Sequence, residues 1–408
     1  MKQSLGSVAG LIFACAYACA CSSNSSTPSA TGSGGSAGSG GVSASGGSSG
    51  GGVAGSAGNA QGGAASGGSA GATSGGSGGV ESGGAAGSSG GAGSGGMQSS
   101  GFTCPAGTFT TPDFSKLTPT RVAGVPPADA FNNNNQNSTN IEGPVWIGGA
   151  LYVSEIATGP TPASRILKVT PDGTVSVAIA DSGSNGLAVD KNGQLFAAVH
   201  KDGSISKLDL TNGANGSPVV VVGKYDNLRF DSPNDLAIRS DGTIFFSDPD
   251  YQAPNTRPQT ATRLYRVAPN GTVTAVGGTF TEPNGVTLSP DEQTLYVAGG
   301  QLKKFAVMAD GSLGTGSDFL KSGGGNGDGM VVDCLGNLYV AGVGGNGLVK
   351  VYSPSGEQVG TLNVPTTAST TNVAFGGPDH RTLYGTAQGG AQEKGLFKID
   401  LSVPGFPY

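Results

Sequence analysis

A short phrase returns down the second half of this chain, and its spacing limits the folds available. It reads Ile141-Glu142-Gly143-Pro144, Ser184-Asn185-Gly186-Leu187, Ser232-Pro233-Asn234-Asp235, Glu282-Pro283-Asn284-Gly285, Gly327-Asp328-Gly329-Met330 and Thr371-Asn372-Val373. Each copy sets one oxygen-bearing side chain before an apolar strand, a tight turn and a second apolar strand. Successive copies lie 43 to 50 residues apart. A period of that size, filled with short strands, is the mark of a repeat architecture.

The repeats resolve into four-stranded units. In the third, Leu236-Ala237-Ile238 and Thr243-Ile244-Phe245-Phe246 flank the turn Ser240-Asp241-Gly242. Arg263–Val267 and Thr272–Val276 then flank Pro269-Asn270-Gly271. Asp-Gly and Asn-Gly between apolar runs are hairpin signals. The first unit repeats the scheme through Val145-Trp146, Leu151–Val153, Arg165–Val169 and Thr174–Val177. Four-stranded units arranged around an axis are propeller blades. The sixth unit, Val373–Phe375, Thr382–Tyr384 and Leu396–Ile399, lacks an outer strand, and an unpaired edge is a liability. Thr120–Val125 precedes the first unit without a partner. The expected fold is therefore all-β, a six-bladed β-propeller of four-stranded antiparallel blades whose last blade is closed by this N-terminal strand.

Composition divides the chain at about residue 101. Residues 1–21 carry Lys2 and an apolar run from Leu5 to Ala20, which is short for a membrane span and reads as a secretory signal. The stretch Ala18-Cys19-Ala20-Cys21 resembles a bacterial lipobox, with Cys21 as the lipid-modified residue and Cys19 as the alternative. Residues 22–100 are nearly all Gly, Ser and Ala, and Glu81 is their one charged side chain. Such a tract cannot bury enough apolar surface to order itself. It reads as a flexible linker with a reach of roughly 50 Å. Residues 101–408 supply the core. An exported protein, lipid-anchored to the cell envelope in the periplasm or on the outer membrane, is the expectation. The anchor would be its only contact with the membrane. Outside the leader only Cys104 and Cys334 remain, either as a disulfide or as two free thiols. A net charge of -6 without a basic cluster argues against nucleic acid as a partner. A monomer is expected.

In a propeller, equivalent positions of successive blades surround one end of the central channel. The phrase thus predicts a ring of Glu142, Asn185, Asn234, Asn284, Asp328 and Asn372. Two carboxylates and four amides are the oxygen donors a hard divalent cation takes. The absence of His and Cys argues against zinc or copper as first choice. Ca2+ fits first, with Mg2+, Mn2+ or Zn2+ as alternatives. Asn and Asp before Gly are also ordinary turn residues, a reading open for Asn284 and Asn372 above all. Glu142 is the least suited to a turn.

The six phrases in this order resemble the gluconolactonase/regucalcin family, also called the senescence-marker-protein-30 family. The likeness runs from about residue 120 to 401. It rests on Glu142-Gly143-Pro144-Val145-Trp146, Ser184-Asn185-Gly186-Leu187, Ser232-Pro233-Asn234-Asp235 with Ser247-Asp248-Pro249, Pro283-Asn284-Gly285 with Ser289-Pro290-Asp291, Asp328-Gly329-Met330, and Thr371-Asn372-Val373 with Gly376-Gly377. The resemblance implies a six-bladed propeller with a divalent metal held by Glu142, Asn234 and Asp328. It also places Asn185 near the metal or substrate. The implied activity is hydrolysis of a sugar lactone such as gluconolactone. Asp328 would act as the catalytic base, and Asn185, Asn284 and His200 would meet the substrate. Some family members use an Arg where this chain has Gly183, and bacterial relatives often show Glu-His where this chain has Val199-His200. Other lactones, esters or phosphotriesters are alternative substrates, and a tethered propeller that only binds is a third reading.

Overall fold

The computed structural model describes residues 103–127, 131, 139–157, 162–321, 325–343, 347–389 and 393–406. The leader and the whole Gly/Ser/Ala tract lie outside the described residues.

Six four-stranded antiparallel sheets follow one another along the chain. Blade 1 consists of Thr139–Ile147, Ala150–Ala157, Ser164–Val169 and Val175–Ile179. Blade 2 runs from Ser184 to Val222, blade 3 from Leu236 to Val276, blade 4 from Val286 to Asp318 and blade 5 from Met330 to Asn363. Blade 6 takes three strands from the C-terminal end, Thr370–Gly376, Thr382–Ala387 and Gly395–Asp400. Its fourth is Thr120–Val122, paired as Thr120 with Lys398, Arg121 with Phe397 and Val122 with Leu396. The closure expected from the short sixth repeat is therefore present.

The core is divided among the blade interfaces. Six apolar clusters lie in sequence around the ring, one between each pair of neighbours. The cluster that shuts the ring joins Val122, Tyr384 and Leu396 of blade 6 to Ile141, Leu151 and Val153 of blade 1. Inner strands are covered on both faces, so their sequences are mostly apolar or small, with polar residues at the channel end. Ser184–Val189, Leu195–Val199 and Ile244–Asp248 are buried at every position. Outer strands such as Val175–Ile179 have one face toward water and alternate accordingly. The turns obey local chemistry: at Asp241-Gly242 the carboxylate Oδ1 accepts the Thr243 N–H at 2.8 Å, and Gly242 takes φ 91°.

The N-terminal segment is fastened before it becomes a strand. Cys104 and Cys334 form a disulfide, which decides between the two states the sequence left open. Cys334 sits in the hairpin turn of blade 5, at the end of Met330–Val332 remote from the Asp328 phrase. Phe114 then packs on Tyr339, over Gly360, where a Cβ would fall 2.0 Å from its ring. The bridge closes a loop of 230 residues, and chain entropy alone assigns such a loop roughly 5 kcal/mol. The double variant Cys104→Ser/Cys334→Ser should lose that much in denaturant unfolding. An unchanged unfolding midpoint would show that the bridge adds nothing to stability.

Candidate active site

Each phrase residue stands just before or within the first residues of its blade's innermost strand, and backbone pairing there departs from a regular ladder. In blades 1, 2 and 6 the register shifts within the phrase, between Glu142 and Val145, Ser184 and Leu187, and Thr370 and Val373. In blades 3, 4 and 5 the phrase residue donates its N–H to the adjacent strand: Asn234 to Ser247, Asn284 to Ala298 and Asp328 to Ala341. Bulges of this kind re-aim side chains. Here they set one polar group per blade at the same level of the channel.

The blades also interlock through this level. The Gly186 N–H donates to the Asn234 carbonyl at 2.7 Å, and the Gly329 N–H donates to the Thr371 carbonyl at 2.7 Å. The Thr371 hydroxyl donates to the Ile141 carbonyl at 2.6 Å, joining blade 6 to blade 1. The glycine after the polar residue allows this approach. A Cβ on Gly143 would lie 2.4 Å from the Asn185 carbonyl oxygen, and one on Gly285 would lie 2.1 Å from that of Asp328. In blade 3 the glycine is replaced by Asp235. Its carboxylate accepts the N–H of Val286 from blade 4 at 3.0 Å and that of Leu236 at 2.9 Å.

Asp235 is the site residue that the phrase alone did not single out. It is buried, and it interacts electrostatically with both Glu142 and Asp328. Burial pushes the Asp235 carboxyl up to about 7, against the two backbone N–H groups that favour its ionised form. Glu142 is held well above the ordinary carboxylate range, first by burial, then by Asp328 and Asp235, with the Gly143 N–H and the Asn372 amide in partial opposition. Asp328 is pushed up to about 8 by burial and by Asp235, opposed by the Asn284 amide and the Gly329 N–H. Asn284 and Asn372 are thus more than turn residues. Their amides reach the two carboxyls. Asn185 and Asn234 hold the equivalent places in blades 2 and 3, both buried.

Two cavities meet this level. The mouth, about 170 Å³, is bordered by Tyr251, Glu282, Asn284, Asn326, Asp328 and Thr370 among others. That is room for about six waters at ~30 Å³ each. On the other side a narrow apolar channel runs past Asp235, Trp146, Leu236, Met330 and Phe375. Asp328 and Asn284 therefore face the mouth, while Asp235 and Asn372 border the channel.

His200 stands apart. It follows Phe196 and Ala198, which pack in the cluster between blades 2 and 3, and it borders neither of these cavities. It is 1% exposed, and neither ring nitrogen has a hydrogen-bond partner among the described residues. Burial, with Arg229 and Lys201 nearby, lowers it to about 4, so the imidazole is neutral near pH 7.

The donor set suits a divalent cation. Among the described residues no group of three His, Cys, Asp or Glu forms a metal cluster, and Glu142 and Asp328 supply only two carboxylates. Yet these two are buried together with Asp235, and no Lys or Arg is among the groups that set their ionisation. Buried like charges without a counter-ion demand a cation or protonation. Asn185 and Asn234, buried at the equivalent places of blades 2 and 3, carry amide oxygens of the type hard cations accept.

Fold and site together define a six-bladed propeller with an acidic, amide-rimmed centre at one end of its channel. Residues 141–389 match the family described as the SMP-30/Gluconolactonase/LRE-like region, and the chain belongs to that family. It is 30% identical over 270 residues to a gluconolactonase of Zymomonas mobilis, covering 58% of this chain and 72% of that one. It is 28% identical to the pentonolactonase XacC of Haloferax volcanii, across 65% of this chain and 92% of the relative. Among solved structures, the Xanthomonas campestris gluconolactonase XC5397 superposes with a TM-score of 0.55 at 30% identity, covering 66% of this chain and 88% of that one.

Proposed function

We propose that the protein is a lactonase that hydrolyses a sugar lactone at the mouth, with a divalent cation bound by Glu142, Asn234 and Asp328. The observation that carries the reading is the buried Glu142–Asp328 pair beneath an open, polar mouth whose described lining contains no basic side chain. The family relatives whose names describe gluconolactone and pentonolactone hydrolysis support the substrate class. Ca2+ is our choice of ion.

When bound, the cation supplies charge stabilisation to the lactone carbonyl as negative charge develops there. The remaining work falls to the chain. Asp328 borders the mouth, and the Asn284 amide holds its carboxylate in place. In its ionised form it takes a proton from the attacking water. The water oxygen forms a bond to the carbonyl carbon, the ring C–O bond breaks, and the proton passes to the departing ring oxygen. The product is the open hydroxy acid, and no serine nucleophile is required. Asn185, the blade 2 member of the ring, is the residue this reading assigns to the substrate.

The test is direct. The purified protein should open glucono-δ-lactone well above the buffer rate, followed by proton release with an indicator. A rate equal to buffer in the presence of Ca2+, Mg2+ or Mn2+ would exclude the reading for this lactone.

Export and lipid attachment through Cys21 belong to the same proposal. The Cys104–Cys334 disulfide supports an oxidising location.

A further inference from the structure

The mouth contains one side chain that neither the fold nor the proposed chemistry accounts for. Glu282 lies two residues before Asn284, at the rim. Its φ is 50°, in the left-handed region, and the next residue is Pro283. That conformation is costly for any residue with a Cβ. A following proline further restricts the residue before it to extended geometry. The Tyr251 hydroxyl fastens this backbone by donating to the Glu282 carbonyl at 3.3 Å. The equivalent positions of the other blades are Asn140, Gly183, Ser232, Asn326 and Thr370, all uncharged. Strain held at a cavity rim points toward function rather than folding.

The rest of the mouth shares a chemical character. The described residues that border it offer hydroxyls and amides from Tyr251, Asn284, Asn326, Ser369, Thr370 and Gln388, and they include no Lys, Arg or His. Lys321, nearby in sequence, is turned to Glu357 at 2.8 Å. Adjoining stretches at 322–324, 344–346 and 390–392 contain no basic residue in their sequence. A divalent cation held by Glu142 and Asp328 would offset those two carboxylates and leave Glu282 as the remaining acidic residue among the described residues that border the mouth.

We propose that Glu282 is a specificity-determining residue, selecting uncharged, hydroxyl-rich lactones and turning away lactones with an anionic group remote from the carbonyl. The inference rests on the lactonase reading and adds the substrate's charge to it. A carboxylate accepts hydroxyl protons from a neutral polyol. The same carboxylate repels a phosphate or sulfonate brought within ~6 Å, by about tenfold in affinity at intermediate dielectric.

The experiment compares the wild-type protein with Glu282→Gln on two lactones, glucono-δ-lactone and its 6-phosphate. In parallel, calorimetry measures binding of two inert ring analogues, 1,5-anhydroglucitol and its 6-phosphate. The expected result is that Glu282→Gln narrows the neutral-to-anionic ratio of kcat/KM by about tenfold, carried in KM for the phosphorylated lactone. The binding ratio should narrow equally. Raising salt should narrow it in the wild type and leave it flat in Glu282→Gln. Glu282→Gly, which removes both strain and charge, should lose the same discrimination while unfolding at a higher temperature. If wild type opens neither lactone, the lactonase reading fails and the two binding ratios still decide the role of Glu282. Ratios that agree within twofold between wild type and Glu282→Gln, by turnover or by binding, overturn the proposal.

Discussion

Asp328→Asn should lower kcat/KM for glucono-δ-lactone by about 10²–10⁴, the range that a positioned general base contributes. The substitution preserves shape, and Asn already occupies the equivalent place in four other blades, so the ring geometry tolerates it. What it removes is a proton acceptor that borders the mouth and is held by the Asn284 amide. The loss should fall on kcat more than on KM. Because Asp328 is also one of the proposed cation ligands, Glu142→Gln provides the control. It removes a carboxylate from the same cluster at a position that does not border the mouth. Saturating Ca2+ should restore much of the activity of Glu142→Gln and little of that of Asp328→Asn. Equal rescue of both would move the base elsewhere.

Removing divalent cations should destabilise the propeller in a pH-dependent manner. The unfolded carboxyls titrate near 4, while folded Asp235 and Asp328 are raised to about 7 and about 8. A carboxyl raised in the folded state contributes stability that is complete below its unfolded value and lost as pH rises through its folded value. Without a cation the protein should therefore lose on the order of 3 kcal/mol between pH 6.5 and 8.5. His200 has the opposite sign. Lowered to about 4, it is neutral above its unfolded value near 6.5, and its contribution is lost only as pH falls below that. The chosen window leaves out most of the His200 contribution, while Asp248, which burial pushes up to about 7, titrates within it and adds a pH dependence that Ca2+ does not alter. Ca2+ competes with protons for the same oxygens, so its stabilising effect should grow across the window. Thermal unfolding of chelator-treated protein at the two pH values, with and without Ca2+, measures this. A midpoint indifferent to both pH and Ca2+ would remove the cation from the site.

Much of the architecture was legible because it rests on local chemistry. Asp-Gly and Asn-Gly turns mark hairpins wherever they fall between apolar runs, and the missing partner of the sixth repeat is a matter of counting. Glu142 and Asp328 were legible because they break an Asn pattern. Asp235 was harder. It stands in the glycine slot of the phrase, and its importance arises from a hydrogen bond to blade 4 and from burial beside two carboxyls, neither of which a repeat alignment displays. Asn284 and Asn372 were ambiguous because an Asn before a strand satisfies turn chemistry equally well, and only the fold shows their amides meeting carboxyls. Tyr251, Glu282 and Gln388 come from connections whose course is set by tertiary packing. The 249–262 excursion, for instance, is pinned by Asp231, which accepts from Arg257 at 2.6 Å and from the Gln259 N–H at 2.8 Å.

The position of the disulfide has a mechanical meaning. Cys334 lies at the end of blade 5 that faces away from the mouth, so the covalent mooring point and the opening are on opposite sides of the ring. Force arriving along the chain ahead of residue 104 passes into blade 5 through the sulfur bridge. It does not peel Thr120–Val122 away from Gly395–Asp400, the seam on which closure depends. A propeller fastened in this way can be pulled through residue 104 without the load reaching the seam that closes its ring.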